Sequence, residues 1–296
     1  YVDHTHSNAI LSLVNLKESI FLIKKIFGKK LAIVPYIMPG FQLAKLSYEI
    51  YNKDKTVEGM LLLNHGIFTF GESAKQSYDR MIKYVTIAEN YIKKNKKKYS
   101  LIKFDNLKTS NDIPILCRKI FNQIDNNKWI IKLNSSKEDK EFTLRKDIKI
   151  LFNKGPVTPD HVIRIKSQPL IITLKDLAKI SLDSYNLKKS INNFCKNYNK
   201  YFLQFKKEVK NSKIADSLPR IIILQGIGFL SIGRNSNEEK ISKDIFNSMK
   251  QTILDSYKIG NFSSISKKEI FKMEYWPLER AKLNIKKRKI LEGILL

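Results

Sequence analysis

A chain of 296 residues that is 43% hydrophobic carries enough apolar material for two compact units and excludes wholesale disorder. It has no signal-peptide pattern, and no stretch reaches the roughly 18 uninterrupted apolar residues of a membrane span. The formal net charge of +27 invites a polyanion partner, but Arg supplies only 8 of the 55 basic residues. Lysines spread along the chain read better as a solvated surface than as a nucleic-acid site, and no recognised RNA- or DNA-binding signature accompanies them.

In chain order, YVDHTH reads as an extended stretch and SNAILSLVNLKESIFLIKKIF as one or two helices capped by Ser7. LAIVPYI is a short buried strand ended by Pro39-Gly40. FQLAKLSYEIYNK has helical spacing, with Phe41, Leu43, Ala44, Leu46, Tyr48 and Ile50 on a broad apolar face. GMLLLNHG reads as a buried strand running into a turn, IFTFG as the next strand, and SAKQSYDRMIKYVTIAENYIKK as a long helix capped by Ser73. The run KKNKKK falls where that helix ends, where cations suit the helix dipole.

Periodicity weakens over residues 101–153, which read as a connecting region with one strand-like stretch, WIIKL. GPVTPDHVIRIK opens a second unit. SQPLIITL follows as strand, DLAKISLDSYNLKKSINNFCKNYNKYFLQFKKEV as helix, PRIIIL as strand, and EEKISKDIFNSMKQTILDSYK as helix. The implied organisation is 1–100, 101–153, 154–283 and a distinct beginning at 284–296. Cys117 and Cys195 lie far apart with no CxxC partner, which points to a reducing cytoplasm rather than a disulfide framework. Laying Gly66–Gly71 over Gly228–Gly233 matches an apolar run before each and a long helix after each. On that register Asn64 and His65 face Gly226 and Ile227, so the second unit repeats the shape without the histidine.

The chain has four histidines. His4 and His6 stand two apart in an extended stretch, so both imidazoles project from one face. His65 ends a buried strand, beside a glycine that permits close approach. If the strands are neighbours, three neutral imidazoles can converge with an open fourth position, a catalytic-zinc arrangement. An HxH pair alone is more often a pair of surface residues. His161 follows Thr-Pro-Asp, a natural turn, and reads as a hydrogen-bonded structural histidine.

DHTHSNAI, followed 59 residues after His6 by LLLNHGIFTFGESAKQSYD, resembles the class II aldolase/adducin family, as does IFGKKLAIVPYIMPGFQLAKL between them. GPVTPDHVIRIK, PRIIILQGIGFLSIGR and MEYWPLERAKL are similar to a narrower group, bifunctional rhamnulose-1-phosphate aldolase/short-chain (lactaldehyde) dehydrogenase proteins. The resemblance implies a layered α/β/α aldolase-like fold with a second, degenerate aldolase-like unit. It implies that His4, His6 and His65 hold one Zn²⁺, which serves as Lewis acid in cleaving a ketose 1-phosphate to dihydroxyacetone phosphate and lactaldehyde. A sugar phosphate substrate and a homo-oligomer follow from the same likeness; a membrane partner does not.

The family's general base and phosphate-binding segments precede its HxH, hence would precede Tyr1, and ILEGILL resembles the first strand of the dehydrogenase region. On that reading the chain is truncated at both ends and inactive as it stands, and NAD belongs only to the missing dehydrogenase domain. No GxGxxG occurs here to bind it. The alternative is a non-catalytic, adducin-like assembly module that keeps the fold.

Overall fold

The computed structural model describes residues 1–103, 112–180 and 185–283. Residues 284–296, read from sequence as the start of a dehydrogenase strand, lie outside the described residues. The first elements are β1 (Val2–Thr5), α1 (Asn8–Val14), α2 (Ser19–Phe27), β2 (Leu31–Val34), α3 (Phe41–Lys53), β3 (Gly59–Leu62), β4 (Gly66–Phe70) and α4 (Ala74–Lys94). Next come α5 (Ile113–Ile124), β5 (Ile130–Asn134), α6 (Lys137–Thr143), α7 (Ile148–Phe152), α8 (Val162–Ile165), β6 (Leu170–Ile172), α9 (Leu174–Ile180) and α10 (Tyr185–Phe205). The chain continues through β7 (Ile221–Leu224), β8 (Gly228–Gly233), α11 (Ser236–Ile259), α12 (Lys267–Glu274) and α13 (Pro277–Ala281).

The fold is α/β, with two compact units. The first comprises Tyr1–Lys98, Lys154–Pro159 and Ser248–Glu269; the second comprises the described residues of Tyr99–Asn153, Asp160–Asn247 and from Ile270 onward. Residues 101–153, read as a connecting region, carry α5, β5, α6 and α7 and group with the second unit. The single helix read over 176–209 corresponds to α9 and α10, with residues 181–184 outside the described set.

In the first unit the strands run β1-β4-β3-β2, with β2 parallel to β3 and the other pairings antiparallel. All four residues of β3 are buried, as suits a central strand covered on both faces. α4 starts where Ser73 Oγ accepts the Gln76 amide at 3.1 Å. It buries Met81, Tyr84, Ala88 and Ile92, one helical stripe, and its last turn carries Lys93 and Lys94. Each such large side chain withdrawn from water contributes about 1.5–3 kcal/mol before entropy is charged against it.

The apolar face expected of α3 is narrower than its sequence suggests. Leu43, with Leu46, Ile50 and Tyr51 beside it, covers Val34, Met60 and Leu62, whereas Phe41 and Tyr48 are 77% and 66% exposed. They fall outside the stripe that meets the sheet.

Glu58, one residue before β3, accepts from Tyr84 Oη at 2.5 Å and Lys83 Nζ at 3.0 Å, and pairs with Lys30 Nζ at 3.4 Å. The Tyr84 hydroxyl foremost, then the two lysines, hold its carboxyl down to about 2. A carboxyl depressed by folding stabilises the native state above its unfolded value, and that stability disappears as pH falls from about 4.5 to about 2. The whole shift corresponds to about 3 kcal/mol, which solvent screening on the lysine side reduces to about 1–2 kcal/mol. Urea midpoints measured across that window should fall for the parent chain and fall by less for Glu58→Gln, which still carries other carboxyls lowered by folding, Asp54 and Asp216 among them.

The second sheet runs β5-β8-β7-β6 with the same pattern of parallel and antiparallel pairs. Leu62 pairs with Gly66 across the first hairpin, and Leu224 with Gly228 across the second. In the turns Asn64 and Gly226 both take positive φ, 56° and 81°. His65 N donates to Leu62 O at 3.1 Å, and Ile227 N to Leu224 O at 3.0 Å. The two units are thus the same four-stranded scaffold built twice.

Candidate metal centre

Three elements of the first unit bring the predicted histidines together. β1 lies against β4 with His4 opposite Phe68, and the two rings meet at a 39° tilt with centroids 4.4 Å apart. His6 follows one residue after β1 ends, on the same face as His4. His65 occupies the turn between β3 and β4. The ring centroids form a near-equilateral triangle: His4–His6 4.8 Å, His4–His65 5.1 Å and His6–His65 4.9 Å. One nitrogen from each ring lies within 4.8 Å of the others.

The hydrogen bonding of His4 fixes what it can offer. Its Nδ1 is 2.8 Å from Ile67 O. A carbonyl only accepts, so the neutral ring carries its proton on Nδ1 and its lone pair on Nε2. That Nε2 lies 3.0 Å from Nε2 of His6. Two nitrogens each about 2.0–2.1 Å from a tetrahedral ion stand about 3.3 Å apart, so this spacing suits two zinc ligands after a few tenths of an ångström of opening. Among the described residues no carboxylate or thiolate joins the cluster. Three protein ligands is the number typical of catalytic rather than structural zinc. The residues present therefore fit a divalent ion of the zinc type.

Residues distant in sequence hold the turn that carries His65. Asn64 is left-handed, a conformation asparagine tolerates. Its Nδ2 donates to Asn15 Oδ1 at 2.6 Å and to Ser263 O at 2.9 Å, and its N donates to Val14 O at 3.2 Å. Asn15, fully buried at the end of α1, in turn donates to Val157 O at 2.9 Å. Sequence reading found the histidines but not these supports, nor the Ile67 carbonyl that orients His4. Outer partners of this kind fix ring orientation at metal sites.

Gly66 follows His65 for a steric reason. A Cβ there would stand 2.5 Å from Thr5 O, 2.9 Å from His6 Cδ2 and 3.2 Å from His4 Cε1. Gly66→Ala should therefore push β1 outward, costing about 1–3 kcal/mol as an overpacked site and weakening metal binding together with folding. Thermal melts with and without added zinc would read both; a variant with parental zinc affinity would show that β1 is free to move.

The corresponding second-unit positions follow from the strand registers. Leu133, opposite Leu230, stands where His4 stands opposite Phe68; Ser135 follows β5 as His6 follows β1; and Ile227 takes the place of His65. A Cβ on Gly228 would collide with Asn134 O just as one on Gly66 would meet Thr5 O. The backbone demand is retained and all three imidazoles are absent. His161 closes the short turn Pro159–His161, outside the cluster. Burial pushes its imidazole below the ordinary value, and Nδ1 has no hydrogen-bond partner among the described residues, so the bonded role expected of it is not seen at that atom. Cys117 and Cys195 are free and buried, and burial pushes both thiols up, which leaves them inert.

Residues 1–92 match the class II aldolase and adducin N-terminal domain, and residues 107–283 match the second domain of class II aldolase. The chain belongs to the class II aldolase/adducin family. This aldolase-family chain is 27% identical over 299 residues to "Uncharacterized oxidoreductase YuxG" of Bacillus subtilis (strain 168), a match covering 96% of the chain and 42% of that protein. It thus spans about two fifths of that relative's length. It is also similar, at 44% identity, to the N-terminal class II aldolase domain of a conserved protein from Thermoplasma acidophilum, over 31% of this chain and 41% of that one, with a TM-score of 0.28. Among the described residues no helix is long and apolar enough to cross a membrane.

Proposed function

We propose that this chain is the aldolase portion of a zinc-dependent class II aldolase that cleaves a ketose 1-phosphate of the rhamnulose type into dihydroxyacetone phosphate and lactaldehyde. The observation that carries the reading is the convergence of His4, His6 and His65, with the Nε2 lone pair of His4 directed into the triangle by the Ile67 carbonyl. Bound zinc would supply a Lewis acid for the ketose carbonyl.

The chain's own residues do the positioning. The β1–β4 pairing and the Asn64–Asn15 contact hold two sides of the triangle rigid, and Phe68 covers one face of His4. That pre-organisation lets the site receive a substrate without reorganising. A fusion to a short-chain dehydrogenase, with NAD bound there, is consistent with the longer relative that carries an oxidoreductase name. Assembly as a cytoplasmic homo-oligomer is part of the same reading, and the exposed Phe41 and Tyr48 of α3 are apolar surface suited to it.

The test is release of dihydroxyacetone phosphate from L-rhamnulose 1-phosphate by the full-length protein loaded with zinc. Activity that disappears with chelator and in His65→Ala is expected. A zinc-loaded full-length protein that releases none would sink the substrate assignment, and an equal rate in His65→Ala would sink the site.

A further inference from the structure

The second unit contains a cavity of about 530 Å³, within the range of small-molecule sites. Its lining runs against the composition of the chain. Only 8 of the 55 basic residues are arginine, yet four of them, Arg164, Arg220, Arg234 and Arg280, line this one cavity together with Lys166. Arginine's planar fork matches phosphate and carboxylate oxygens two at a time, which lysine cannot do. Three carboxylates, Asp216, Glu238 and Glu274, also line it, and Asp125 pairs with Arg234 at 3.9 Å, so five cations meet four anions and a net positive charge remains. A phosphate monoester carries about −1.5 to −2 near neutral pH.

The arginines fall into two pairs. Arg220 and Arg234 are fixed: each Nη2 donates to Asp216 Oδ2, at 2.6 and 3.3 Å, and their guanidiniums lie 4.7 and 5.5 Å from the Trp129 ring. Arg164 and Arg280 make no ion pair with a described carboxylate. Arg164 Nη2 donates to Lys282 O at 3.1 Å, and Arg280 lies 5.8 Å from the Tyr275 ring. Their remaining donors are available to a ligand.

Below them Lys166 is held at φ 65°, with Nζ donating to Asp216 O at 2.6 Å and lying 3.9 Å from the Tyr198 ring. Such a left-handed conformation is strained for a lysine, and strain of this kind gathers at functional sites. Glu274, 1% exposed, accepts from Tyr198 Oη at 2.6 Å and is also hydrogen-bonded to Tyr201, whereas Asp216 Oδ1 has no hydrogen-bond partner among the described residues. A buried acceptor left open in a lined cavity suits a hydroxyl donor of a ligand.

We propose that this cavity binds a small phosphorylated polyhydroxy compound, its phosphate gripped by Arg164 and Arg280 and a hydroxyl donating to Asp216. The site is separate from the three histidines, and the test is arranged to keep the two apart. Calorimetric titration of sn-glycerol 3-phosphate into the His65→Ala chain, at constant ionic strength set with sodium chloride, should show one site per molecule. Arg164→Ala with Arg280→Ala should weaken it at least tenfold, while Arg118→Ala, in the same unit but away from the cavity, should leave it unchanged. If the double variant unfolds by circular dichroism, Arg280→Lys serves instead: it keeps the charge, loses the fork, and should weaken binding several-fold. Equal affinity in the arginine variants overturns the proposal, as does an equal loss in Arg118→Ala. Inorganic phosphate binding as tightly as glycerol phosphate overturns the hydroxyl contact and reduces the ligand to a free phosphate ion. Glycerol phosphate binding lost with His65→Ala alone would assign the ligand to the histidine site and sink the cavity.

Discussion

Zinc retained by the purified chain is expected to fall from about one ion per molecule to almost none when His65 is replaced by alanine. His4 and His6 share a strand end, and the third nitrogen comes from a different turn. Losing it leaves two ligands and a solvent-filled gap, for which a fall in affinity of roughly a hundredfold or more, about 2.7 kcal/mol, is expected. His4→Ala should do the same, because it removes both a ligand and the ring that the Ile67 carbonyl orients. His161→Ala should change nothing, since that residue lies outside the cluster. Elemental analysis after dialysis against a competing chelator reads all three. Unchanged zinc in both His4→Ala and His65→Ala would remove the metal centre altogether.

Different parts of this site were legible in the sequence to different degrees. The meeting of His4, His6 and His65 could be read, because a strand's two-residue period puts the first pair on one face, and LLLNHG marks the end of a buried strand. The repeat could also be read: the register that set Asn64 and His65 against Gly226 and Ile227 is the one in which both turns take positive φ. What holds the turn could not. Asn15, Val157 and Ser263 reach Asn64 from far along the chain, and no local pattern announces such contacts.

The α3 face was over-read for a related reason. Helical spacing groups Phe41 and Tyr48 with Leu43, but only the sheet beneath decides how wide a stripe is covered. The cavity arginines were hidden by dilution. Spread over positions 164, 220, 234 and 280 among 55 basic residues, they looked like part of a uniform cationic surface until the fold brought them together.

Trp129 is where the second unit's core and its cavity depend on the same side chain, and Trp129→Ala is expected to cost about 3–5 kcal/mol. The indole is fully buried, meets Phe121 edge-on at 5.6 Å, and sits in the cluster that includes Cys117, Ile191, Leu218 and Ile232. The ring also meets the Arg220 and Arg234 guanidiniums, contacts that contribute about 0.5–2 kcal/mol when partly desolvated. Nε1 has no hydrogen-bond partner among the described residues. Trp129→Phe therefore forfeits no hydrogen bond and keeps an aromatic face for the arginines, so its cost should stay near 1–2 kcal/mol, that of a smaller ring in a tight core. Urea unfolding followed by circular dichroism separates the two, provided a transition of each unit is resolved, since two units need not melt as one. A cost below about 1 kcal/mol for Trp129→Ala would mean that the core closes over the gap. In that case the arginines stay where their other partners hold them, Asp216 for both, Leu218 O for Arg220 and Asp125 for Arg234, and the phosphate affinity of Trp129→Ala should match that of the parent chain.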